Sequence, residues 1–553
     1  MAKSTTWQLL IAVAGLVLVA GLLWWATFPS PQSTTEVPAH GGTYIEGIVG
    51  QPKYLNPVLG QPNSVDQDIA SLVFSGLTKL TSNGAVEPDL AEKWQVSPDG
   101  KVYLFDLRHD AKWHDGSPVT ADDVVFTVKT IQDPDYQGNP AVAQLWKNVA
   151  VERVSDEQVK FTLKDAYAPF LEYATQPLIP AQILGGVPAK KLPEHRFNMY
   201  PLGTGPFKVT EASLKEVVLE ANPDYYGEKP FLDQIRFRFY PDGQAALSAL
   251  RRDEVEGVGY LSPEDVQLVK TDTRINVFAA PEFSKQSLLI MNTKSAVFAD
   301  KAVRQAIAYA IDRPKLIDIV ENGQGVEADS PVIPVSWAYN REVKKYDHRP
   351  MEAKNILDNA GWRDTDGDAV RDKNGQKLAF VLLTNDNPRR VKAAEEISRE
   401  LQEVGIKVTV QAAGWSGFIR DFLAPRKFEA ALVEQWSPGA DPDSYQFWHS
   451  SQAKGDGLNF ASWTNRQADD LLENARRSND QAERARLYRD FQSLFAEEEP
   501  SVLLYYPVFD YAVSKSVKGV DLGLLLDPSH RFDKISEWYV KTKRVPLNQT
   551  GKS

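Results

Sequence analysis

Residues 96–126 constrain the fold of this chain more than any other segment of similar length. Residues 98–100 read Pro-Asp-Gly, which is typical of a tight turn, and residues 101–108 alternate between polar and apolar side chains as a half-buried strand does. His-Asp-Gly at 114–116 indicates a second turn, and Thr120 is a predicted N-cap for the helix that follows. The segment is therefore predicted to form a hairpin followed by a helix.

As a string, the same segment resembles the signature of the family 5 solute-binding proteins, the extracytoplasmic receptors of ABC importers for oligopeptides, dipeptides, nickel complexes and some sugars. Strings similar to those of the family recur at residues 203–207, 221–227, 291–293, 303–312 and 441–443. The resemblance covers roughly residues 43–540.

The resemblance implies an α/β fold of the periplasmic-binding-protein type. This fold is bilobal and of class II, with an extra small lobe and a hinge of two segments near residues 280 and 508. The apolar run at residues 9–26 predicts an N-terminal transmembrane helix before it. The predicted domains are a signal anchor at 1–28, a tether at 29–42, lobe I at 43–62, 198–280 and 509–545, lobe II at 63–197, lobe III at 281–508 and a tail at 546–553. The length of 553 residues also favours several lobes, because one hydrophobic core rarely serves so long a chain.

A βαβ unit is predicted from the residues of the third lobe themselves. Residues 378–384 form an apolar run suited to a strand buried on both faces, residues 390–404 carry apolar side chains at helical spacing, and residues 406–410 read as another strand. Gly405 is placed to end the helix. Such a unit predicts parallel strands joined by a right-handed crossover.

Composition excludes several classes of function. A net charge of −12 without a dense Lys/Arg cluster argues against a nucleic-acid partner. The chain has no cysteine, which excludes disulfides, thiolate metal sites and cysteine nucleophiles. Its seven histidines show no paired metal-ligand spacing. No metal and no cofactor are therefore expected.

The apolar run at residues 9–26 nearly matches the thickness of a bilayer's hydrocarbon core, about 30 Å. Lys3 precedes the run and the next basic residue is Lys53, which predicts a cytoplasmic N-terminus and an extracytoplasmic body. No small-residue cleavage signal follows, so an uncleaved anchor is predicted, with a cleaved signal peptide as the alternative. The Pro-, Ser- and Thr-rich residues 29–42 are predicted to be an extended tether.

Two groups of acidic residues could be taken for a metal site or a catalytic site, but a structural role explains each of them. Residues 364–372 place carboxylates at alternate positions, as a calcium loop does, but no closing Glu follows at the twelfth position, so an exposed acidic turn is favoured. Asp122 and Asp123 lie in the first turn of a predicted helix, where the helix dipole explains them. Nucleophile-elbow, zinc-protease and Walker motifs are all missing, so no catalytic residues are predicted.

The candidate ligand site follows a strand that ends near Glu434, since ligands bind at the carboxyl ends of strands in α/β sheets. The resemblance implies that Trp436 lines a cleft, and that an aspartate three residues later holds a peptide's α-amino group; here that position is Gly439. Asp441 or Glu434 is the alternative carboxylate, unless Asp441 only caps a turn. The candidate ligand-binding residues are Gln51, Trp415, Glu434, Trp436, Gly439 and Asp441.

The resemblance implies the receptor of an ABC importer, which captures oligopeptides between its lobes and delivers them to permease subunits in the same membrane. It is expected to be a monomer at the extracytoplasmic face of a bacterial cell membrane, in the periplasm or on the cell surface, anchored by its N-terminal helix. Another solute, such as an oligosaccharide or a metal chelate, and a surface-anchored ligand sensor are the alternatives. A hydrolase is disfavoured because no catalytic motif supports it.

Overall fold

The computed structural model describes residues 3–27, 34–60, 63–81, 84–436 and 439–546. The first described element is the helix Lys3–Thr27, on which the described apolar side chains, such as Leu16 and Val17, are exposed. Within the described residues, no helix has both the length and the apolar character required to cross a bilayer.

Most of the body is built on one mixed sheet of twelve strands in the described residues. Ten strands follow one another in the order Lys407–Ala413, Ala379–Asn385, Ala430–Trp436, Lys285–Met291, Ser501–Ser514, Gly257–Val258, Thr43–Val49, Gln234–Tyr240, Glu216–Ala221 and Phe207–Ala212. The two remaining strands, Ile275–Pro281 and Gly325–Glu327, pair with Ser501–Ser514.

The strand Ser501–Ser514 connects the two halves of this sheet. Its first part pairs with Lys285–Met291, and its second part pairs antiparallel with Ile275–Pro281. Nearly all of its fourteen residues are buried, which its apolar and aromatic sequence allows. The chain therefore passes between the halves near residue 281 and again near residue 508.

The predicted βαβ unit is confirmed. Strands Ala379–Asn385 and Lys407–Ala413 are parallel and are joined by the helix Pro388–Glu403. Asn387 caps the start of the helix by accepting from the N–H groups of Arg389 and Arg390. At the other end Val404 is the C-cap, and Gly405, the next residue, has a φ of +85°. That φ is one that glycine adopts without strain.

Residues 63–197 contain a separate antiparallel sheet. Its strands lie in the order Ala91–Val96, Val102–Leu107, Gln158–Leu163 and Val149–Ser155, and the first two form the predicted hairpin. The helix Ala121–Gln132 begins at Thr120 with a reciprocal capping box to Asp123, as the sequence predicts. Asp123 also accepts from the Trp113 indole and from the Ala181 N–H, so its role is structural.

The remaining helices cover the sheets. The longer ones are Ser64–Val73, Pro140–Trp146, Gly243–Arg251, Pro263–Val269, Lys301–Ala310, Arg313–Glu321, Pro350–Asn359, Arg466–Arg477 and Gln481–Glu498. Short turns of helix are Phe170–Tyr173, Ala181–Leu184, Ala189–Glu194, Arg196–Asn198, Trp415–Gly417, Phe418–Leu423, Tyr445–Trp448, Ser450–Gln452, Pro528–Phe532 and Ile535–Glu537. Two short hairpins pair Thr78–Leu80 with Val86–Pro88 and Asp372–Lys373 with Gln376–Lys377.

The predicted tether at 29–42 needs a correction for its described part. Thr34–Ala39 is a strand, paired antiparallel with Lys541–Pro546. Threonine and valine favour extended backbone, and Glu36 faces Arg544 across the pair, so the segment has a partner that its local composition does not reveal. Residues 40–42 are also fixed, since the Gly41 N–H donates to the Phe231 carbonyl at 2.7 Å.

Candidate ligand-binding site

A cavity of about 780 Å³ lies between segment 84–172 and segment 333–484, and is called the large cavity below. Its walls are about equally polar and apolar, and the apolar part includes Val86, Tyr103 and Leu171 on one side and Ile333 and Trp337 on the other. Its volume is within the usual range for a small-ligand site, about 300–1,000 Å³.

Asp441, which lines this cavity, and Asp443, two residues further along the chain, both have arginine partners. Arg484 Nη2 lies 2.7 Å from both carboxylate oxygens of Asp441, and Arg484 Nε donates to the Ala475 carbonyl at 3.0 Å. Arg476 Nη2 lies 2.9 Å from the carboxylate of Asp443. Burial raises the pKa of Asp441, while Arg484 opposes that rise. These pairs neutralise both aspartates.

Glu172 reaches the same loop from the opposite side of the cavity. It belongs to the short helix Phe170–Tyr173, and its two carboxylate oxygens accept from the N–H groups of Ala440 at 3.1 Å and Asp441 at 2.8 Å. Burial, and secondarily the charge of Asp441, raises the pKa of Glu172 to about 7. No ion pair among the described residues includes Glu172.

Further contacts join the same two segments beside Glu172. The Ala168 N–H donates to the Arg476 carbonyl at 2.8 Å, and the Tyr167 hydroxyl donates to Asp443 at 3.4 Å. The Arg476 guanidinium lies 4.9 Å from the centre of the Tyr167 ring. Segments 84–172 and 333–484 thus touch directly at one side of the cavity.

A smaller, polar cavity of about 200 Å³ lies where strand Ser501–Ser514 passes between the sheet halves. Glu434 lines it and forms an ion pair with Arg390, at 2.5 Å between Nη2 and Oε2. The Arg390 guanidinium also lies 5.9 Å from the centre of the Trp415 ring. Glu321 is paired with Arg389 in the same cavity, at 3.0 Å.

The acidic turn at 364–372 brings Asp364, Asp366 and Asp372 together, which is the one group of possible metal ligands among the described residues. Lys377 pairs with acidic residues of this turn, with Nζ 2.6 Å from Asp366, 2.9 Å from Asp368 and 3.6 Å from Asp372. Asp364 instead accepts from the N–H groups of Gly367 and Ala369. These contacts hold the carboxylates within the turn, which favours an acidic turn over a calcium loop.

Comparison with known proteins agrees with this architecture. Residues 85–457 match the bacterial extracellular solute-binding proteins, family 5. The oligopeptide-binding protein AppA of Bacillus subtilis is 32% identical over 524 residues, which cover 92% of this chain and 94% of AppA. The chain belongs to solute-binding protein family 5. The family and such relatives are binding proteins rather than enzymes.

Solved structures of relatives place this family 5 member in the periplasmic-binding-protein-like α/β fold. AppA from Bacillus subtilis in complex with a nonapeptide has a TM-score of 0.72 and 31% identity, covering 91% of this chain and 100% of that one. The substrate-binding protein CtaP from Listeria monocytogenes has a TM-score of 0.78 and 26% identity, with coverage of 91% and 100%. The dipeptide-binding protein of Escherichia coli is 27% identical over 521 residues, covering 88% of this chain and 93% of that protein.

The six residues expected at the ligand site of this family 5 chain fall into separate places. Asp441 lines the large cavity, and Gly439 lies against Glu172. Glu434 lines the small cavity, and Trp415, 53% exposed, stacks near Arg390.

The two other candidates cannot be assigned to a cavity. Gln51 Nε2 donates to the Leu214 carbonyl, at the surface of the molecule. The backbone of Trp436 ends the strand Ala430–Trp436, but its side chain lies outside the described residues. Their predicted roles in binding stay predictions.

Sequence reasoning missed Glu172, Arg484 and Trp337. Arg484 had a detectable signal, because it falls on the apolar face of the helix Gln481–Glu498, three and four residues before Leu487 and Tyr488. A charged residue in an apolar stripe indicates a buried partner. Glu172 lies in a helix of only four residues and Trp337 in an irregular segment, and neither is long enough to show such a pattern.

Proposed function

We propose that this protein captures oligopeptides in the large cavity and delivers them to the permease subunits of an ABC importer. The observation that carries the proposal is the position of the cavity between two segments that touch across it through Glu172, Ala168 and Tyr167. A ligand bound there contacts both sides at once, and it favours closure to the extent that it binds the closed state more tightly.

The moving parts in this proposal are three lobes. Lobe I comprises 43–62, 198–280 and 509–545, lobe II comprises 63–197 and lobe III comprises 281–508. The separate sheet within 63–197 and the two chain passages near residues 281 and 508 support this division. The two passages would act as the hinge.

The lining of the large cavity suits peptides of varied sequence. The apolar part of the wall can accept many side chains, and neutral polar groups such as Ser336, Asn479 and Gln481 can bind backbone amides directly or through water. Asp441 and Gly439, at the rim, and Glu434 with Trp415, at the small cavity, are proposed to complete the ligand site.

Native mass spectrometry of the protein purified without refolding tests the ligand class. We expect co-purified peptides, or binding of a pool of random nonapeptides, together with a smaller radius of gyration in X-ray scattering on saturation. Parallel samples contain an oligosaccharide mixture or nickel with histidine, the latter because a related NikZ of Campylobacter jejuni was solved with Ni(L-His). Binding of one of these solutes without binding of peptides would replace the proposal. A strain lacking the chain that still imports peptides, but no longer responds to them, would favour a sensor.

We also propose that residues 9–26 anchor the protein at the extracytoplasmic face of the membrane. The support is the apolar sequence and the exposure of its described side chains on helix Lys3–Thr27. Full-length protein should fractionate with membranes and retain its first residues. N-terminal sequencing that starts after residue 26 would instead indicate a cleaved signal peptide.

A further inference from the structure

Beside the large cavity, a cluster of charged residues contains one carboxyl group more than its arginines can neutralise. Its three acidic residues are Glu172, Asp441 and Asp443, and its two cationic residues are Arg476 and Arg484. Asp441 and Asp443 each have an arginine, whereas Glu172 has none among the described residues. The residues left undescribed between positions 34 and 546 are uncharged, so they cannot supply the missing cation.

The carboxylate of Glu172 is positioned and still has capacity for another donor. The N–H groups of Ala440 and Asp441 fix its orientation, at 3.1 and 2.8 Å. They use two of the about four acceptor positions of a carboxylate. Glu172 also lines the large cavity, so a ligand can reach it.

Gly439 makes room for this arrangement. A Cβ atom at position 439 would overlap Glu172 Oε1, so any larger residue there would push the carboxylate away from the two N–H groups. Gly439 has no side chain that could bind a ligand. The carboxylate of Glu172, which comes from the other side of the cavity, occupies the space beside Gly439.

We infer that Glu172 forms a subsite for a positively charged ammonium group of the ligand. The inference rests on the proposed peptide-binding function. A buried carboxylate without a cationic partner is costly, and an ammonium group that pairs with it offsets that cost. Burial raises the pKa of Glu172 to about 7, as expected for a carboxyl group that has no cationic partner. The ammonium can come from the amino terminus of a peptide or from a lysine side chain.

The test compares two pools of nonapeptides that lack charged side chains, one with free and one with N-acetylated amino termini. Binding of each pool to the full-length protein and to Glu172→Gln is measured by titration calorimetry. The wild-type protein should bind the free pool roughly 10- to 150-fold more tightly, the effect expected for one charge-assisted hydrogen bond. Glu172→Gln should bind both pools alike, at the wild-type affinity for the acetylated pool.

Each other outcome has a definite meaning. Equal binding of the two pools by wild type overturns the subsite and leaves the proposed function standing. An equal loss for both pools in Glu172→Gln shows that Glu172 only joins the lobes, which also overturns the subsite. If folded wild-type protein binds neither pool, the proposed function fails, and the inference fails with it.

Two further variants distinguish the proposed subsite from misfolding and from a general electrostatic effect on binding. Gly439→Ala displaces the Glu172 carboxylate without removing a charge, and it should reduce the preference for the free pool in the same way. Asp441→Asn should change both affinities by the same factor, because Asp441 is neutralised by Arg484. A selective loss for the free pool in Asp441→Asn would assign the subsite to Asp441 and overturn the inference.

A third pool, acetylated but containing lysine, identifies the source of the ammonium group. Tight binding of this pool to wild type, lost in Glu172→Gln, assigns the subsite to a lysine side chain. Weak binding of this pool, with tight binding of the free pool, assigns it to the α-amino group. Asp456→Asn, at an exposed position of the same segment, is the matched control and should leave all three affinities unchanged.

Discussion

At the residue scale, Arg531 ties together parts of the chain that are far apart in sequence. Its fully buried guanidinium donates to both carboxylate oxygens of Asp68, at 2.8 and 2.5 Å, and to Glu46 at 3.0 Å. Removing one partner of a buried ion pair leaves an uncompensated charge in a poorly solvated place. The packing of the segment Pro528–Phe532 against the strand Thr43–Val49 therefore depends on the Arg531 side chain.

Arg531→Met should lower the free energy of unfolding by about 3–5 kcal/mol, because it leaves Asp68 and Glu46 buried without a cation. Urea denaturation followed by tryptophan fluorescence measures the loss. The matched control is Arg544→Met, whose side chain is 77% exposed and 3.5 Å from Glu36. It should cost about 0–1 kcal/mol. Similar losses in the two variants would contradict the prediction.

Glu499 should give the protein a distinctive pH dependence. Burial raises its pKa to about 8 from the ordinary 4.5, although Arg313, Lys344 and Arg304 oppose the rise. Between these values the folded protein holds a proton that the unfolded chain has released. The free energy of unfolding therefore contains a contribution that falls as pH rises from 4.5 to 8, by at most about 1.4 kcal/mol per pH unit.

Glu499→Gln should lack this contribution, so its advantage over wild type should grow as pH rises through that range. Urea denaturation at pH 5, 6.5 and 8 measures the difference between the two proteins. A difference that stays constant with pH would show that Glu499 titrates normally.

At the scale of elements, the βαβ unit owes its position to one face of the helix Pro388–Glu403. Ala394, Ile397 and Leu401 are fully buried on that face, while Glu395 on the opposite side is exposed. Burying an aliphatic side chain stabilises a fold by about 1.5–3 kcal/mol. The apolar spacing thus fixes which side of the helix faces the sheet.

Ile397→Ala should lower the free energy of unfolding by about 2–5 kcal/mol, through lost burial and the cavity it leaves. Glu395→Ala on the same helix should change it by no more than about 0.5 kcal/mol. Chemical denaturation of the two variants side by side checks this. An equal effect would place the helix away from the sheet.

At the scale of the whole molecule, the strand pair formed by Thr34–Ala39 and Lys541–Pro546 brings the two ends of the body together. These strands pair only with each other in the described structure. An isolated two-stranded sheet is marginally stable at best. The pair should therefore add little to the stability of the lobes.

A chain that begins at residue 40 should unfold within about 1 kcal/mol of one that begins at residue 34, because both keep the docked residues 40–42. Limited proteolysis should cut residues 541–546 faster in the shorter chain, since their partner strand is gone. Differential scanning calorimetry and mass spectrometry of the fragments provide the two measurements. A large drop in melting temperature would show that the pair supports the lobes.

Local patterns in the sequence determined the elements that depend on neighbouring residues. The cap at Thr120, the helix that follows it and the βαβ unit all arise from spacings of a few residues, and the structure contains each of them. The segments that resemble family 5 sequences predicted the overall fold. The strand at Thr34–Ala39 escaped prediction because its partner lies at the other end of the body.

Only the tertiary structure decided the charges at the candidate site. The sequence offered Asp441 as a free carboxylate, yet folding brings Arg484 to it from a helix 43 residues away. Glu172 meets the N–H of Ala440 across a separation of 268 residues, a contact that no local spacing encodes. The spacing of side chains in the sequence predicts the buried face of one helix or strand, but not which other element packs against it. Which carboxylate stays without a cation depends on how the elements pack together.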